Sequence, residues 1–227
     1  MSSPIANRKP TFFQKELVGF HQRAAHSNRI ARLSECLGKA IADLPSKGQA
    51  TVQALDVGCG DMTIAENISN AHPNIQWNCT DIHPLPPQLG GSMKWKKYRP
   101  FDGRNLPFES ASFDVVMLSD VLHHCMPQAE SLLREANRVG KYVIVKDHYE
   151  RGFFSRQMLR LMDFVGNYGY GVKVPSHYFT PETFAAICNQ AGLSTKIHHV
   201  GIDLYADFPI LKFLLNKNWQ FVAVLER

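Results

Sequence analysis

A glycine loop flanked by two acids is the first group of residues in this chain that could do chemistry. The stretch LDVGCGD places Gly58 and Gly60 one residue apart, between Asp56 and Asp61. Glycine lets a backbone approach a ligand closely, because no Cβ intervenes. A dinucleotide site needs a third glycine, where this chain has Thr63. Asp61 would also repel a pyrophosphate, although an acid there can simply stabilise the start of a helix. The loop predicts a nucleoside ligand that lacks phosphate and carries positive charge.

Three more polar residues come at the ends of later predicted strands and could complete such a site. Asp81 ends the second strand, where a carboxylate can accept hydrogen bonds from both ribose hydroxyls. Asp102 follows the third strand, where it could accept from an adenine amino group or, alternatively, close a turn. Ser119 ends the fourth strand. S-adenosylmethionine, with its adenine, ribose and sulfonium cation, matches these groups and is the predicted cofactor.

Histidines at strand ends are the candidate catalytic groups. His124 follows the fourth predicted strand in the motif DVLHH, and His148 follows the fifth. Histidine titrates near neutral pH, so either ring could remove a proton from a methyl acceptor or only shape the wall of a pocket. His123 is a weaker candidate, and His198 and His199 are expected to be structural or exposed. We predict that His124 or His148 serves as the base.

The elements that must position these residues alternate between strands and helices. Five strands are predicted, in TVQALDV, IQWNCTD, MKWKKYR, FDVVMLSD and KYVIVKD. This alternation is typical of a parallel sheet with helices on both faces. In such sheets ligands bind beyond the carboxyl ends of the strands, which is where the candidate residues lie. Two last strands, in STKIHHVGID and NWQFVAVLER, are expected to form a hairpin-like pair at one edge. The predicted fold class is therefore α/β, Rossmann-like and doubly wound. It is a mostly parallel seven-stranded sheet with an antiparallel last strand, N-terminal helices and a lid insertion.

One domain is expected, because 227 residues are enough for a single full core. Thr180, Pro181 and Gly192 mark the two ends of a late helix in TPETFAAICNQAGL. The predicted parts are a helical cap (1–45), a cofactor-binding core (50–147), a lid (150–180) and a C-terminal helix with edge strands (181–227).

Four motifs in the core resemble the class I S-adenosylmethionine-dependent methyltransferases. They are LDVGCGD, CTDI, FDGRNLPFESASFDVVML and DVLHH. Within that class the chain is most similar to the methyltransferase type 11 group, which includes the ubiquinone and menaquinone C-methyltransferases. The resemblance implies methyl transfer with S-adenosylhomocysteine as the product, and places His124 near the reaction site. The cofactor contacts that it implies are Asp56, Gly58, Cys59, Gly60, Asp81, Ile82, Asp102, Gly103 and Ser119.

The stretch FVGNYGYGVKVPSHYF is aromatic and rich in glycine. Long loops of this kind are often functional, so we expect a lid or pocket wall, although a purely structural loop over the sheet is the alternative. Predicted substrate contacts are Tyr168, Tyr170, His177 and Tyr178. They favour a small aromatic or lipophilic acceptor, and leave open whether oxygen, nitrogen or carbon is methylated. The first helix could close the pocket from the other side.

The amino-acid composition argues against several classes of protein, among them membrane-spanning, disulfide-rich and zinc-binding proteins. The hydrophobic fraction is 44%, and no apolar run approaches the roughly 20 residues that span a bilayer. Five cysteines without a C-x-x-C pair predict reduced thiols, no metal site and a cytoplasmic location. The basic N terminus leaves a transit peptide as an alternative.

The expected partner is a small-molecule acceptor, and the oligomeric state stays open. The net charge of +5 is spread thinly, so KWKKYR is expected to be a solvated strand edge rather than a nucleic-acid patch. Two rival functions are considered. One is a non-catalytic S-adenosylmethionine-binding protein. The other is a nucleotide-dependent oxidoreductase, which Asp61 and Thr63 oppose.

Overall fold

A seven-stranded mixed sheet organises the chain in a computed structural model that describes residues 25–45, 51–85, 96–167 and 172–227. The strands are β1 (Val52–Val57), β2 (Ile75–Asp81), β3 (Tyr98–Pro100), β4 (Phe113–Ser119), β5 (Gly140–His148), β6 (Ser194–Val200) and β7 (Gln220–Glu226). Their order in the sheet is β3-β2-β1-β4-β5-β7-β6. The first five pair in parallel, and β7 lies antiparallel between β5 and β6. The predicted fold class, with its antiparallel last strand, is confirmed.

Six α-helices accompany the sheet in the described part of the chain. They are α1 (His26–Ala42), α2 (Thr63–Ala71), α3 (Ala129–Val139), α4 (Phe153–Gly166), α5 (Pro181–Gln190) and α6 (Pro209–Leu214), with 3-10 helices at Leu122–Gln128 and Lys217–Trp219. None of these helices is both long enough and apolar enough to cross a bilayer.

The core lies in two layers, one on each face of the sheet. Successive side chains of a strand point to opposite faces, so Ile144 of β5 packs in one layer and Val143 in the other. The first layer contains Leu37 of α1 and Ile68 of α2, and the second contains Leu133 of α3. Both faces of the central strands are therefore covered, which explains the near-continuous apolar runs in their sequences.

The start of α5 shows how local sequence determines a helix boundary. The Thr180 side chain accepts from the backbone N–H of Thr183, and the Thr183 side chain accepts from the backbone N–H of Thr180. Pro181 stands at the first turn. Gly192 follows the helix end with a φ of +73°, a left-handed conformation that favours glycine. The caps expected from Thr180, Pro181 and Gly192 are confirmed.

Several boundaries differ from the sequence-based expectation. The third strand covers only Tyr98–Pro100, and residues 93–95 of the expected strand lie outside the described residues. α3 begins at Ala129 because the preceding 3-10 helix contains Pro127, which has no N–H to donate. The stretch at 209–214 forms the short helix α6, which was not expected. β5 extends through His148, so this histidine ends the strand instead of following it.

Candidate active site

The glycine loop follows β1 at the carboxyl edge of the sheet. Gly58 and Gly60 have φ values of +73° and +53°. A Cβ on Gly58 would lie 2.4 Å from Cγ2 of Val121, so this position requires glycine. Beside Gly60, by contrast, no described atom lies within 4 Å of where a Cβ would be. The loop thus packs tightly on one side and leaves backbone accessible on the other.

Asp81, at the end of β2, ties the glycine loop to the neighbouring strand. One carboxylate oxygen accepts from the backbone N–H of Gly60 at 2.9 Å, and the other accepts from the N–H of His83 at 2.9 Å. The backbone N–H groups of Gly58 and Cys59 donate to the carbonyl of Thr80 at 2.8 and 3.2 Å. These bonds hold Asp81 and the loop at the same edge of the sheet, as the sequence predicted for a ribose-binding acid.

Three acidic side chains lie close together at the loop, namely Asp56, Asp61 and Asp81. Asp56 is only 3% exposed, and burial, together with Asp81 and Asp61, raises the pKa of its carboxyl to about 8. Asp61 also accepts from the backbone N–H of Thr63 at 3.0 Å. The hydroxyl of Ser119 is buried and has no hydrogen-bond partner among the described residues. A positive charge on a ligand would offset the crowded acidic groups, and a hydrogen-bonding group on it could pair with the Ser119 hydroxyl. These residues therefore fit S-adenosylmethionine.

The remaining predicted cofactor contacts lie on the loops after β2 and β3. Ile82 is 57% exposed. Its Cγ2 would lie 3.3 Å from a Cβ added to Gly103, so these two residues are neighbours. Asp102 accepts from the backbone N–H groups of Arg104 and Asn105 at 2.8 and 2.7 Å, and these bonds lower its pKa. In this structure its carboxylate closes a turn, which is the alternative considered from the sequence, and its contact with adenine stays a prediction.

A cavity of about 140 Å³ opens beside the glycine loop, at the carboxyl ends of β4 and β5. It adjoins the loop because Val121, which packs on Gly58, directly follows Asp120 in the cavity wall. The wall combines charged, polar and apolar side chains. Its residues are His26, Arg29, Asp120, His124, His148, Leu159, Met162, Asp163, Gly166, Asn167, Tyr205, Leu215 and Gln220.

Asp120 is the centre of an ionic cluster in this wall. Its carboxylate contacts the guanidinium of Arg29 in α1 and the ammonium of Lys146 in β5. Burial opposes the carboxylate, but Lys146 and Arg29 hold the pKa of Asp120 well below its usual value. Lys146 is fully buried, and this burial lowers the pKa of its ammonium. The cluster joins α1 to the carboxyl ends of two central strands.

His148 lies in this wall next to the ionic cluster. Its Nδ1 lies 3.4 Å from Asp120 and 3.6 Å from Asp147, while its Nε2 lies 3.5 Å from the Lys146 ammonium. Burial, and then the charge of Lys146, lower the pKa of His148. Because an ammonium can only donate, its contact with Nε2 favours a neutral ring whose proton is on Nδ1, the nitrogen nearer the carboxylates.

His124 is oriented differently in the same wall. Its Nδ1 lies 3.2 Å from the carbonyl oxygen of Lys173, which can only accept a hydrogen bond. The neutral ring therefore carries its proton on Nδ1 and a lone pair on Nε2. Burial, and then the neighbouring His123, lower the pKa of His124. Of the two predicted catalytic histidines, His124 has its basic nitrogen unengaged by a cation.

His123 lies behind the wall in a buried charge network. Its Nδ1 is 2.6 Å from Asp147, and its Nε2 is 3.3 Å from Asp163 in α4. Burial favours the neutral ring, but Asp147 and Asp163 raise the pKa of His123 well above its usual value. Tyr178 donates to Asp163 at 2.5 Å. This arrangement holds three elements together and leaves His123 little freedom to exchange protons with a substrate.

The predicted substrate contacts are dispersed. Tyr168 and Tyr170 lie outside the described residues. His177 is on the surface near Glu150, with Nδ1 3.5 Å from its carboxylate, and it does not line the cavity in this structure. Tyr178 is buried and supports the wall through Asp163. The segment nevertheless touches the site, because Lys173 orients His124.

Sequence reasoning missed several residues of the wall, namely Arg29, Asp163, Tyr205 and Gln220, and also Lys146, which pairs with Asp120 of the wall. One signal was available for Lys146, because a lysine at the end of the apolar run YVIV must find a partner when the strand is buried. Arg29 and Asp163 belong to amphipathic helices, whose sequences do not indicate which charged residue meets the site.

Residues 55–142 match the family model of a methyltransferase domain. A chain of the complex that contains the Haloferax volcanii Trm112 methyltransferase activator aligns with a TM-score of 0.63 and 12% identity, over 96% of this chain and 98% of that one. An S-adenosylmethionine-dependent methyltransferase from Mesorhizobium loti aligns with a TM-score of 0.59 and 14% identity, over 83% and 96%. The mitomycin 7-O-methyltransferase MmcR aligns with a TM-score of 0.60 and 18% identity, over 94% of this chain and 60% of that one. At these identities the structural likenesses establish the fold.

Proposed function

We propose that this chain is an S-adenosylmethionine-dependent methyltransferase that acts on a small aromatic or lipophilic acceptor bound in the cavity beside the glycine loop. The match of residues 55–142 to a methyltransferase domain supports this proposal. The observation that carries this proposal is the adjacency of the two features. The loop fits a cationic nucleoside, and the cavity next to it presents an oriented histidine, His124.

The cofactor would be held at the glycine loop. In this proposal Asp81 accepts from the ribose hydroxyls, Asp56 balances positive charge and Ser119 donates its hydroxyl. The bond of Asp81 to the glycine loop, the raised pKa of Asp56 and the unpaired hydroxyl of Ser119 support these roles. Cys59, Ile82, Asp102 and Gly103 are proposed as further contacts around them. When bound, S-adenosylmethionine supplies a methyl group that its sulfonium has activated for displacement.

The protein's main task in such a displacement is to align the acceptor and exclude water. The apolar side chains Leu159, Met162 and Leu215 support binding of an apolar body. Where the accepting atom carries a proton, we propose that Nε2 of His124 removes it, while the carbonyl of Lys173 keeps the proton on Nδ1. His148 is the second candidate for this role.

The test has two stages, so that binding and turnover are separated. Calorimetry should detect S-adenosylhomocysteine binding, and Asp81→Asn should weaken it by about 1–3 kcal/mol because a buried acceptor for the ribose is altered. The enzyme should then form S-adenosylhomocysteine from S-adenosylmethionine with members of a panel of phenols, anilines and quinols.

Each rival function has its own outcome in this test. Tight cofactor binding without turnover on any class of acceptor would favour a non-catalytic binding protein. A fluorescence titration that detects NADH but not S-adenosylhomocysteine would favour an oxidoreductase. No binding of S-adenosylhomocysteine at millimolar concentration would contradict the proposal at its first step.

A further inference from the structure

Four large apolar side chains project into solvent from two segments of the chain. Phe153 and Phe154, at the start of α4, are 74% and 62% exposed, and Ile210 and Phe213, on one side of α6, are 76% and 88% exposed. We call these four residues the apolar rim. Single exposed apolar residues are ordinary, but grouped exposed aromatic side chains mark an interaction surface.

The two segments that carry the apolar rim both contribute residues to the cavity wall. The ring of Phe154 is 6.2 Å from that of Trp219, which directly precedes the cavity residue Gln220. On the inner side of the same two segments, Leu159 of α4 and Leu215, which follows α6, line the cavity. The segments that form the rim therefore also form part of the cavity wall.

The charge of these two segments indicates what they bind. Residues 151–160 and 208–219 together contain five arginines and lysines and no aspartate or glutamate. Arg156 pairs with Glu150 and Lys212 with Asp203. The other three, Arg151, Arg160 and Lys217, are exposed.

We infer that the apolar rim docks on an anionic lipid surface. Aromatic and aliphatic side chains mixed with lysine and arginine suit the boundary between headgroups and acyl chains, where the rings insert and the cations meet phosphate. Protein–protein interfaces, by contrast, are depleted in lysine, of which these segments contain two. Docking through the rim would bring two segments of the cavity wall to the membrane surface. The inference does not depend on the proposed methyl transfer.

Vesicle co-sedimentation tests this inference without any measurement of activity. The wild-type protein should pellet with vesicles of phosphatidylcholine and phosphatidylglycerol, less with phosphatidylcholine alone, and less as salt rises, because screening weakens the contacts of the cations. The double variant Phe153→Ser/Phe213→Ser should lower the partition coefficient at least about tenfold, since two apolar rings no longer leave water. Arg151→Glu/Lys217→Glu should remove the preference for anionic vesicles.

A matched control is Ile197→Ser, which changes an apolar side chain that is 44% exposed on β6. It should bind vesicles like the wild type, and thermal melts should show that all variants are folded. The inference is overturned if the wild type pellets with neither kind of vesicle, or if the Phe153/Phe213 variant binds as well as the wild type. Sedimentation velocity that shows a dimer abolished by the same substitutions would also overturn it, in favour of a second copy of the chain.

Discussion

Two histidines in one cavity wall differ in what surrounds their basic nitrogens. In His124, the hydrogen bond from Nδ1 to the carbonyl of Lys173 leaves the lone pair on Nε2. In His148, by contrast, Nε2 faces the ammonium of Lys146. A cation beside a nitrogen disfavours its protonation. At the scale of single residues, therefore, His124 is the better base and His148 the more strongly held wall residue.

The first prediction concerns this difference. His124→Ala should lower turnover by about 10²–10⁴-fold, the usual contribution of a general base, while affinity for S-adenosylhomocysteine stays near that of the wild type. Part of the lost rate should return at higher pH, where the acceptor ionises without help. His148→Ala is the matched control and should have a smaller effect. Full turnover in both variants would show that the acceptor needs no base.

A second prediction follows from the raised pKa of Asp56. Its carboxyl is largely protonated below about pH 8, and a bound cation favours the carboxylate. Affinity for S-adenosylmethionine should therefore rise with pH up to about 8, with proton release on binding. Calorimetry in buffers of different ionisation enthalpy measures this release. Asp56→Asn should remove that part of the pH dependence. Because the cofactor's own amino group titrates in the same way with both proteins, the difference between wild type and variant reports Asp56 alone. An identical pH dependence in the two proteins would mean that Asp56 does not sense the ligand.

At the scale of elements, two ion pairs attach α1 to the rest of the molecule, one partly buried and one exposed. Arg29 reaches Asp120 in the cavity wall, while Arg32, one turn later, pairs with Asp207 at the surface. Buried ion pairs lose much more than exposed ones when one partner is removed. Of these two ion pairs, the one between Arg29 and Asp120 is therefore expected to contribute more to the position of α1 over the cavity.

The third prediction uses this pair of arginines as a matched comparison. Arg29→Met should increase amide hydrogen exchange in α1 and lower turnover, because the helix loses its contact with the strand end. Arg32→Met should change stability by at most about 1 kcal/mol and leave exchange in α1 near that of the wild type. If amide hydrogen exchange in α1 is equal in the two variants, then the apolar face of α1, and not Arg29, holds the helix in place.

A fourth prediction concerns residues 150–180, the segment that is expected to act as a lid. The carbonyl of Lys173 orients His124, so closure over a ligand and alignment of the base should be linked. Without ligand, trypsin should cleave after Lys173, and S-adenosylhomocysteine with a bound acceptor should slow that cleavage. Cleavage at an unchanged rate would indicate a fixed wall instead of a lid.

At the scale of the whole molecule, His123 joins three elements through buried charges. It lies in the 3-10 helix after β4 and contacts Asp147 in β5 and Asp163 in α4. Because its folded-state pKa is raised, its stabilising contribution is fully present below the unfolded pKa of about 6.5 and is lost as pH rises through the folded-state pKa. Asp147 and Asp163 have lowered pKa values. The stability that these two carboxylates contribute is therefore lost as the pH falls through their folded-state pKa values.

The fifth prediction tests this network by denaturation. His123→Gln should lower the free energy of unfolding by about 3–5 kcal/mol, because two buried carboxylates lose their cation. The double variant His123→Gln/Asp163→Asn should recover part of that loss, since one uncompensated charge is removed. Urea titrations at neutral pH measure both. A single variant as stable as the wild type would show that the charges are compensated by other groups.

The sequence by itself determined what depends on neighbouring residues. Apolar runs predicted the central strands, the residues around Thr180 predicted the start of α5, and the acid-flanked glycines predicted the cofactor loop, because sterics and capping act over a few residues. Only the tertiary structure decided which distant side chains meet. Arg29, Asp120 and Lys146 come together because the sheet places β4 beside β5 and α1 packs across their ends. No local pattern encodes that meeting, since a buried charge is defined by its partners and the partners of Asp120 lie 26 and 91 residues away in the chain.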